Sequence, residues 1–176
     1  LLYEELGKYE KAEERFQQLL KLTEKPAGNY SESEKQNRGA FLTHAGYVSQ
    51  QLEKYPQAIA YFTELKTMNA ENAARAESYI IDTYRAAKQL DKALAASENA
   101  VKAHPEDKDL QLLQADLLSE SGKGSQAIER LQKMLEILIG QDDTMIGPLF
   151  IHSLNLITLL HKIKMVDLLL WNWKRG

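Results

Sequence analysis

The sequence has no cysteine, which excludes disulfide bonds, thiolate metal ligands and cysteine nucleophiles. It has no excess of basic residues either, because its formal net charge is −3. Nucleic-acid binding usually requires a basic surface, so no nucleic-acid partner is expected. Long apolar stretches are also missing: residues 149–160 form a mostly apolar run, but a membrane-spanning helix needs roughly 20 such residues. No membrane span is therefore expected.

The sequence also lacks the local patterns that carry most enzyme chemistry. Its four histidines form no His-x-x-x-His or Glu-x-x-His pair, the spacing that places two metal ligands on one helical face. There is no glycine-rich phosphate loop and no local pattern that suggests a serine–histidine–acid set. Asp142 and Asp143 are adjacent acids, but they lack the ligand number of a calcium loop. We therefore expect no catalytic residue, no metal site and no cofactor.

The sequence does contain a repeated apolar pattern. Each copy has four positions. The first is an apolar residue, an aromatic residue or a glycine, the second is an alanine three residues later, and the third and fourth are core positions that follow after four and then three more residues. The four copies are Tyr9, Ala12, Phe16 and Leu19; Tyr55, Ala58, Phe62 and Leu65; Leu90, Ala93, Ser97 and Ala100; and Gly124, Ala127, Leu131 and Met134. The alanines lie 46, 35 and 34 residues apart. A period near 34 residues indicates a stack of similar structural units.

These residues resemble the tetratricopeptide repeat (TPR) family over about residues 1–138. The resemblance implies an all-α fold, a right-handed superhelical solenoid of antiparallel helix pairs that binds other proteins. One helix pair cannot bury its apolar face alone, whereas stacked pairs form a continuous core. Small residues are needed where the two helices approach closely. The predicted structural repeat residues are Ala12, Phe16, Ala58, Phe62, Ala93 and Ala127.

Turn and capping signals divide the chain into units. Pro26 and Gly28 interrupt the helical pattern, which explains part of the long first spacing. Ser31-x-x-Glu34 and Ser33-x-x-Gln36 are both capping boxes, so a long helix is expected from about residue 33. The expected helices are 9–22, 33–52, 55–69, 70–88, 90–104, 107–121 and 125–139. They form a repeat array over 1–139, with units of about 1–24, 33–69, 70–104 and 107–139.

Both ends of the chain differ from the repeats. The chain begins at Leu1 rather than Met, and residues 1–6 have the pattern of the last turns of a helix, so a fragment of a longer repeat protein is expected. Residues 140–176 contain no alanine and both tryptophans. They are predicted to be an atypical hydrophobic C-terminal helical segment. Residues 145–173 of this segment are a candidate surface for a homo-oligomer.

In TPR proteins the first helix of each pair lines a concave groove, and the resemblance carries this position onto three helices of the chain. The predicted partner-binding residues are Thr43, His44, Tyr47, Gln50, Arg75, Tyr79, Asp82, Arg85, Asp109, Leu113, Asp116 and Glu120. Some family members hold a peptide carboxylate with groove lysines, arginines and asparagines. The matching positions here include Thr43, Tyr47, Tyr79, Asp109 and Leu113, so that mode of binding is not expected.

The sequence therefore predicts a non-catalytic scaffold that holds a protein or peptide partner, as a peptide or extended segment, in the concave groove. Two alternatives remain open at this point. The hydrophobic C-terminal segment favours self-association, in which it would bury itself against a second copy. The chain is alternatively a helical regulatory part of a larger enzyme whose catalytic residues lie elsewhere.

Overall fold

The computed structural model describes residues 2–140, and these are helical without any β-strand. The predicted all-α repeat fold is confirmed. The helices are α1 Leu2–Glu5, α2 Tyr9–Leu22, α3 Glu32–Gln51, α4 Tyr55–Lys66, α5 Ala70–Ala86, α6 Leu90–Ala103, α7 Lys108–Glu120 and α8 Gly124–Gly140, with a short 3₁₀ turn at Pro26–Gly28. The predictions made for residues 141–176, including self-association through 145–173, lie outside the described residues and stay predictions.

The described residues divide into two compact units, one that ends at Asp107 and one that begins at Lys108. In the first unit each helix from α1 to α6 packs against the next one in sequence, and α3 also contacts α5. In the second unit α7 packs against α8. Packing of consecutive helices is the arrangement expected of a helical repeat, in which each pair buries its apolar face against its neighbours.

The turn inside each helix pair has the same backbone conformation in all four copies. Its left-handed residue has φ between 57° and 73° and is Gly7, Glu53, Lys88 or Gly122. In the second copy the N–H of Glu53 donates to the carbonyl of Gln50, and the N–H of Lys54 donates to the carbonyl of Ser49. The other three turns have the same two hydrogen bonds. This Schellman motif satisfies two carbonyls at the end of each first helix. The four turns recur along the chain at the same intervals as the four repeat alanines.

The predicted structural repeat residues all lie in the interior. Ala12, Phe16, Ala58, Phe62, Ala93 and Ala127 are buried. A glycine makes the close approach between α3 and α4 possible, because a Cβ atom on Gly46 would overlap the ring of Phe62. The large ring of one helix therefore fills the space that the missing side chain of the other helix leaves.

In the next two helix pairs, residues of other sizes occupy the two positions that correspond to Gly46 and Phe62. The alanine spacing relates Gly46 and Phe62 to Ile81 and Ser97, and then to Ala115 and Leu131. Ile81, Ser97, Ala115 and Leu131 are all fully buried. Where the first helix has no side chain the second helix has a ring, and where the first helix has isoleucine the second helix has serine. Protein interiors are close-packed, so a gain in volume at one position needs a loss at its partner.

The long connection between α2 and α3 is held at both ends. Ser31 is the N-cap of α3 and forms a capping box with Glu34, so α3 begins at Glu32 and the alternative box at Ser33 does not form. Lys25 bridges to the Glu34 carboxylate at 2.6 Å. Capping satisfies free backbone N–H groups, which explains why the helix begins one residue earlier than expected.

A buried arginine at the start of α3 connects this region to two other helices. The guanidinium of Arg38 donates to the carbonyl of Leu20 at 2.8 Å and to the hydroxyl of Thr23 at 3.1 Å. It also pairs with the Glu64 carboxylate of α4 at 2.6 Å. The ring of Tyr30 lies 5.3 Å from its central carbon atom. One side chain therefore binds the end of α2, the connection and α4.

Candidate partner-binding groove

Side chains from α1, α3, α4 and α5 enclose a cavity of about 530 Å³ in the first unit, which we call the aromatic cavity. Its lining residues are Glu4, Thr43, His44, Tyr47, Gln50, Phe62, Tyr79 and Asp82. Ligand pockets in proteins usually measure about 300–1,000 Å³ and are mainly apolar with a few polar groups. Four rings and a small number of polar side chains give the aromatic cavity this character.

The aromatic cavity contains half of the predicted groove residues. Six of the twelve line it: Thr43, His44, Tyr47, Gln50, Tyr79 and Asp82. Arg75 lies instead at a neighbouring polar cleft of about 290 Å³, which we call the amide cleft. The amide cleft is lined by Gln36, Gly39, Ala40, Thr43, Asn69, Asn72 and Arg75. Thr43 belongs to both, so the two spaces adjoin on α3. Arg85 is partly buried in the last turn of α5 and lines neither of them.

The remaining predicted residues belong to the second unit. Asp109, Leu113, Asp116 and Glu120 lie on α7, where Asp109 and Glu120 are exposed and the other two are partly buried. Their participation in a partner-binding surface stays a prediction.

Two of the rings that line the cavity also connect successive helix pairs. His44 stacks on Phe16 with ring centroids 5.5 Å apart, and Tyr79 packs on Phe62 with centroids 5.0 Å apart. His44 and Tyr79 are 35 residues apart and occupy equivalent positions on α3 and α5. Each packs on a ring from the second helix of the preceding pair. Aromatic contacts of this kind restrict the rings to one orientation, so the cavity wall is formed before any partner arrives.

Two lining residues were not among the predicted groove residues. Phe62 was assigned to the core, and it serves both the core and the cavity wall. Glu4 lies on α1, and its carboxylate is 3.0 Å from Nδ1 of His44. The repeat offers a signal for Glu4, because Gln50 stands 46 residues later at the equivalent position. Gln50 in turn donates to the hydroxyl of Thr83 at 2.6 Å, which links α3 to α5.

Tyr47 is the most exposed ring of the aromatic cavity, with 45% of its surface accessible. The pKa of Tyr47 is raised, first because ionised Tyr9 would repel ionised Tyr47; partial burial, the hydrogen bond to Tyr9 and the Glu4 carboxylate act in the same direction. A raised pKa keeps the Tyr47 phenol neutral. A neutral phenol can donate and accept hydrogen bonds and offers a rigid apolar face to a partner.

Helix pairs that repeat with the same turn and with a buried alanine at the same position are the mark of a helical-repeat protein. Two family models described as tetratricopeptide repeat match the chain, over residues 1–30 and over residues 84–138. These two matches support a tetratricopeptide repeat protein. No curated protein matches the chain.

Tetratricopeptide repeats generally mediate protein–protein interaction, and the family is typically a non-catalytic scaffold. Within residues 2–140, no helix is both long enough and apolar enough to cross a membrane. The same part of the chain holds no group of three potential metal-binding side chains.

Proposed function

We propose that this chain is a non-catalytic interaction scaffold that holds a peptide or an extended segment of a partner protein along α3 and α5. The observation that carries the proposal is the aromatic cavity, which collects six groove residues from the first helices of two successive pairs. Tyrosine is among the residues that most often anchor protein interfaces, and the cavity contains Tyr47 and Tyr79.

The packing of the cavity wall favours binding. The rings of His44 and Tyr79 are held by Phe16 and Phe62, and Gln50 is held by Thr83. Ordering a mobile side chain at an interface costs about 0.5–1.5 kcal/mol, and side chains that are already ordered avoid this cost. The partner segment, rather than the scaffold, would then lose most of the conformational freedom on binding.

The amide cleft supports an extended segment rather than a single side chain. Gln36, Asn69 and Asn72 line it beside Arg75. Side-chain amides carry both donors and an acceptor, which suits them to the N–H and C=O groups of an extended main chain. Because the cleft adjoins the aromatic cavity at Thr43, one segment can place a side chain in the cavity and its backbone along the cleft.

Photo-crosslinking tests this proposal. A benzophenone amino acid is placed at Tyr47 or, as a control, at Glu98, which is exposed on α6. Cell extracts are irradiated and the crosslinked peptides are identified by mass spectrometry. The Tyr47 position should give one recurring partner segment that the Glu98 position does not give.

Affinity measurements with that segment complete the test. Tyr47→Ala and Tyr79→Ala should each weaken binding while the circular dichroism of the helices stays unchanged. Full retention of binding by both variants would place the partner elsewhere and would rule out the proposed groove.

A further inference from the structure

Two acidic side chains line the aromatic cavity. Glu4 and Asp82 contribute carboxylates, and no lysine or arginine is among the residues that line it. The only other titratable polar group there, apart from the tyrosines, is His44, whose ring nitrogen faces Glu4 at 3.0 Å. A carboxylate has two oxygens and about four acceptor positions, so one that already has a partner can still accept a hydrogen bond from an incoming cation.

The Glu4 carboxylate also acts on the Tyr47 hydroxyl. The pKa of Tyr47 is raised mainly by Tyr9, and the Glu4 carboxylate adds to this. A carboxylate that disfavours a neighbouring phenolate favours a cation at the same place. The faces of tyrosine and phenylalanine rings attract cations as well, because their π-electrons are negative there.

The shape of the cavity favours a long side chain with an apolar stem. Its interior side is the fully buried Phe62, and Tyr47 and Asp82 are exposed. Arginine and lysine carry three or four methylene groups that pack on apolar surface and a charged end that stays near water and near acids. A purely aliphatic side chain would fill the apolar part without interacting with the carboxylates of Glu4 and Asp82, and an acidic one would meet like charge.

From these observations we propose that the aromatic cavity binds a basic side chain, an arginine or a lysine, of the partner segment. The inference rests on the proposed function, and it names the residue type that the groove selects. The stem of this side chain packs on the rings of Tyr47 and Tyr79, and its charged end lies at the carboxylates of Glu4 and Asp82.

End-capped serine–glycine heptapeptides with one variable central residue test the inference. The central residue is arginine, citrulline, norleucine or glutamate, and each peptide is titrated into the ¹⁵N-labelled 176-residue chain. The arginine peptide should shift the resonances of Tyr47 and Tyr79. It should bind about three- to fivefold more tightly than the citrulline peptide, which has the same shape without the charge. The difference should shrink at high ionic strength because salt screens exposed charges.

A matched pair of variants assigns the effect to the cavity. Asp82→Asn should reduce the preference for arginine over norleucine, and Glu98→Gln, which removes an exposed acid on α6, should leave it unchanged. Equal or tighter binding of norleucine would identify an apolar occupant and overturn the inference. Tighter binding of glutamate, or no shift at the cavity with any of the four peptides, would overturn it too.

The outcome separates this inference from the proposed function. If a crosslinked partner segment loses affinity for Tyr79→Ala but keeps it for Asp82→Asn, and tolerates replacement of its own basic residues, then the groove is real and the basic side chain is not its occupant. If both tyrosine variants retain the partner, the groove itself is wrong.

Discussion

Arg38 on α3 donates a hydrogen bond from Nη1 to the carbonyl oxygen of Leu20, 2.8 Å away, at the C-terminal end of α2. The carbonyls in the last turn of a helix have no partner within the helix. Here one of them is satisfied by a side chain from the next helix pair. The interaction therefore stabilises one pair through its neighbour, across a connection of variable length.

Replacing Arg38 with methionine should lower the free energy of unfolding by about 2–3 kcal/mol, because the Leu20 carbonyl keeps only the longer hydrogen bond from the Thr23 hydroxyl and Glu64 loses its partner. Arg15→Met removes an exposed arginine from α2 and should change stability by less than about 0.5 kcal/mol. Urea unfolding followed by circular dichroism measures both variants. Equal midpoints for the two would show that Arg38 is not an anchor.

The left-handed turns predict a stabilising substitution. Glu53 has φ of 57° and Lys88 has φ of 58°, whereas the equivalent residues Gly7 and Gly122 have no side chain to strain. A left-handed conformation costs a non-glycine residue roughly 1–2 kcal/mol. Glycine avoids this cost, but its greater conformational freedom when unfolded cancels part of the gain. Glu53→Gly and Lys88→Gly should each stabilise the fold by about 0.5–1 kcal/mol.

The control for this prediction is Glu10→Gly, which puts the same change inside α2. It should destabilise the fold by about 1 kcal/mol, because glycine is a poor helix former. Thermal unfolding of the variants gives opposite signs if the turn conformation decides the effect. A loss of stability in both Glu53→Gly and Glu10→Gly would contradict the prediction.

The relation between the sizes of the residues at Ile81 and Ser97 can be tested by giving this pair the sizes found at Gly46 and Phe62. Ser97→Phe alone should cost about 1–3 kcal/mol through overpacking against the buried Ile81 position. Ile81→Gly together with Ser97→Phe reproduces the sizes of Gly46 and Phe62. The double variant should be more stable than the sum of the single changes by at least about 1 kcal/mol.

A second combination controls for general effects. Ser97→Phe with Ala12→Gly changes a buried position on α2, in the first helix pair, so the two losses of stability should add. A double-mutant cycle from urea unfolding measures both couplings. Additive losses in the Ile81→Gly, Ser97→Phe variant would show that the two positions do not share one space.

The capping box at the start of α3 predicts a pH dependence. Lys25 and the backbone N–H and hydroxyl of Ser31 lower the pKa of Glu34 from an ordinary value of 4.5 to about 2. Since the folded-state pKa is the lower one, the stabilisation is fully present above about pH 4.5 and is lost as the pH falls toward 2. The melting temperature of the wild-type chain should therefore approach that of Glu34→Gln between pH 5 and pH 2.

Lys25→Met removes the largest cause of the lowered pKa of Glu34 and should reproduce part of this change. Parallel melting profiles of wild type and Glu34→Gln over the whole range would exclude a role for the capping box in the acid response. The measurement is a series of thermal unfolding curves at constant ionic strength.

The sequence predicted the bounds of a helix correctly where its local signals agreed. The pattern from Tyr9 to Leu22 predicted α2 with its observed bounds, because the turn at Gly7 and the apolar stripe agree. The end of α4 was predicted at residue 69 and lies at Lys66. The side chain of Asn69 accepts a hydrogen bond from the N–H of Asn72 and caps α5, so the same residue cannot also continue α4.

The sequence predicted those residues of the candidate site that occupy equivalent positions in successive repeats. His44 and Tyr79 are equivalent by the alanine spacing, and the structure brings both to the aromatic cavity. Glu4 was missed because it lies in the short α1, where too little of the pattern remains. Arg38 was missed because its partners are a carbonyl and the side chains of other helices, and an arginine on a polar helix face has the same pattern whether it is solvated or buried.

The rings of His44 and Tyr79 belong at once to the wall of a binding space and to the seam between neighbouring pairs. Any attempt to redirect this surface toward a new target through those rings will therefore also loosen the stacking of the pairs. Thr43, whose hydroxyl donates to the carbonyl of Gly39 within its own helix, is a safer starting position for such engineering. In this protein, a change of binding specificity at these rings therefore also changes the stability of the packing between helix pairs.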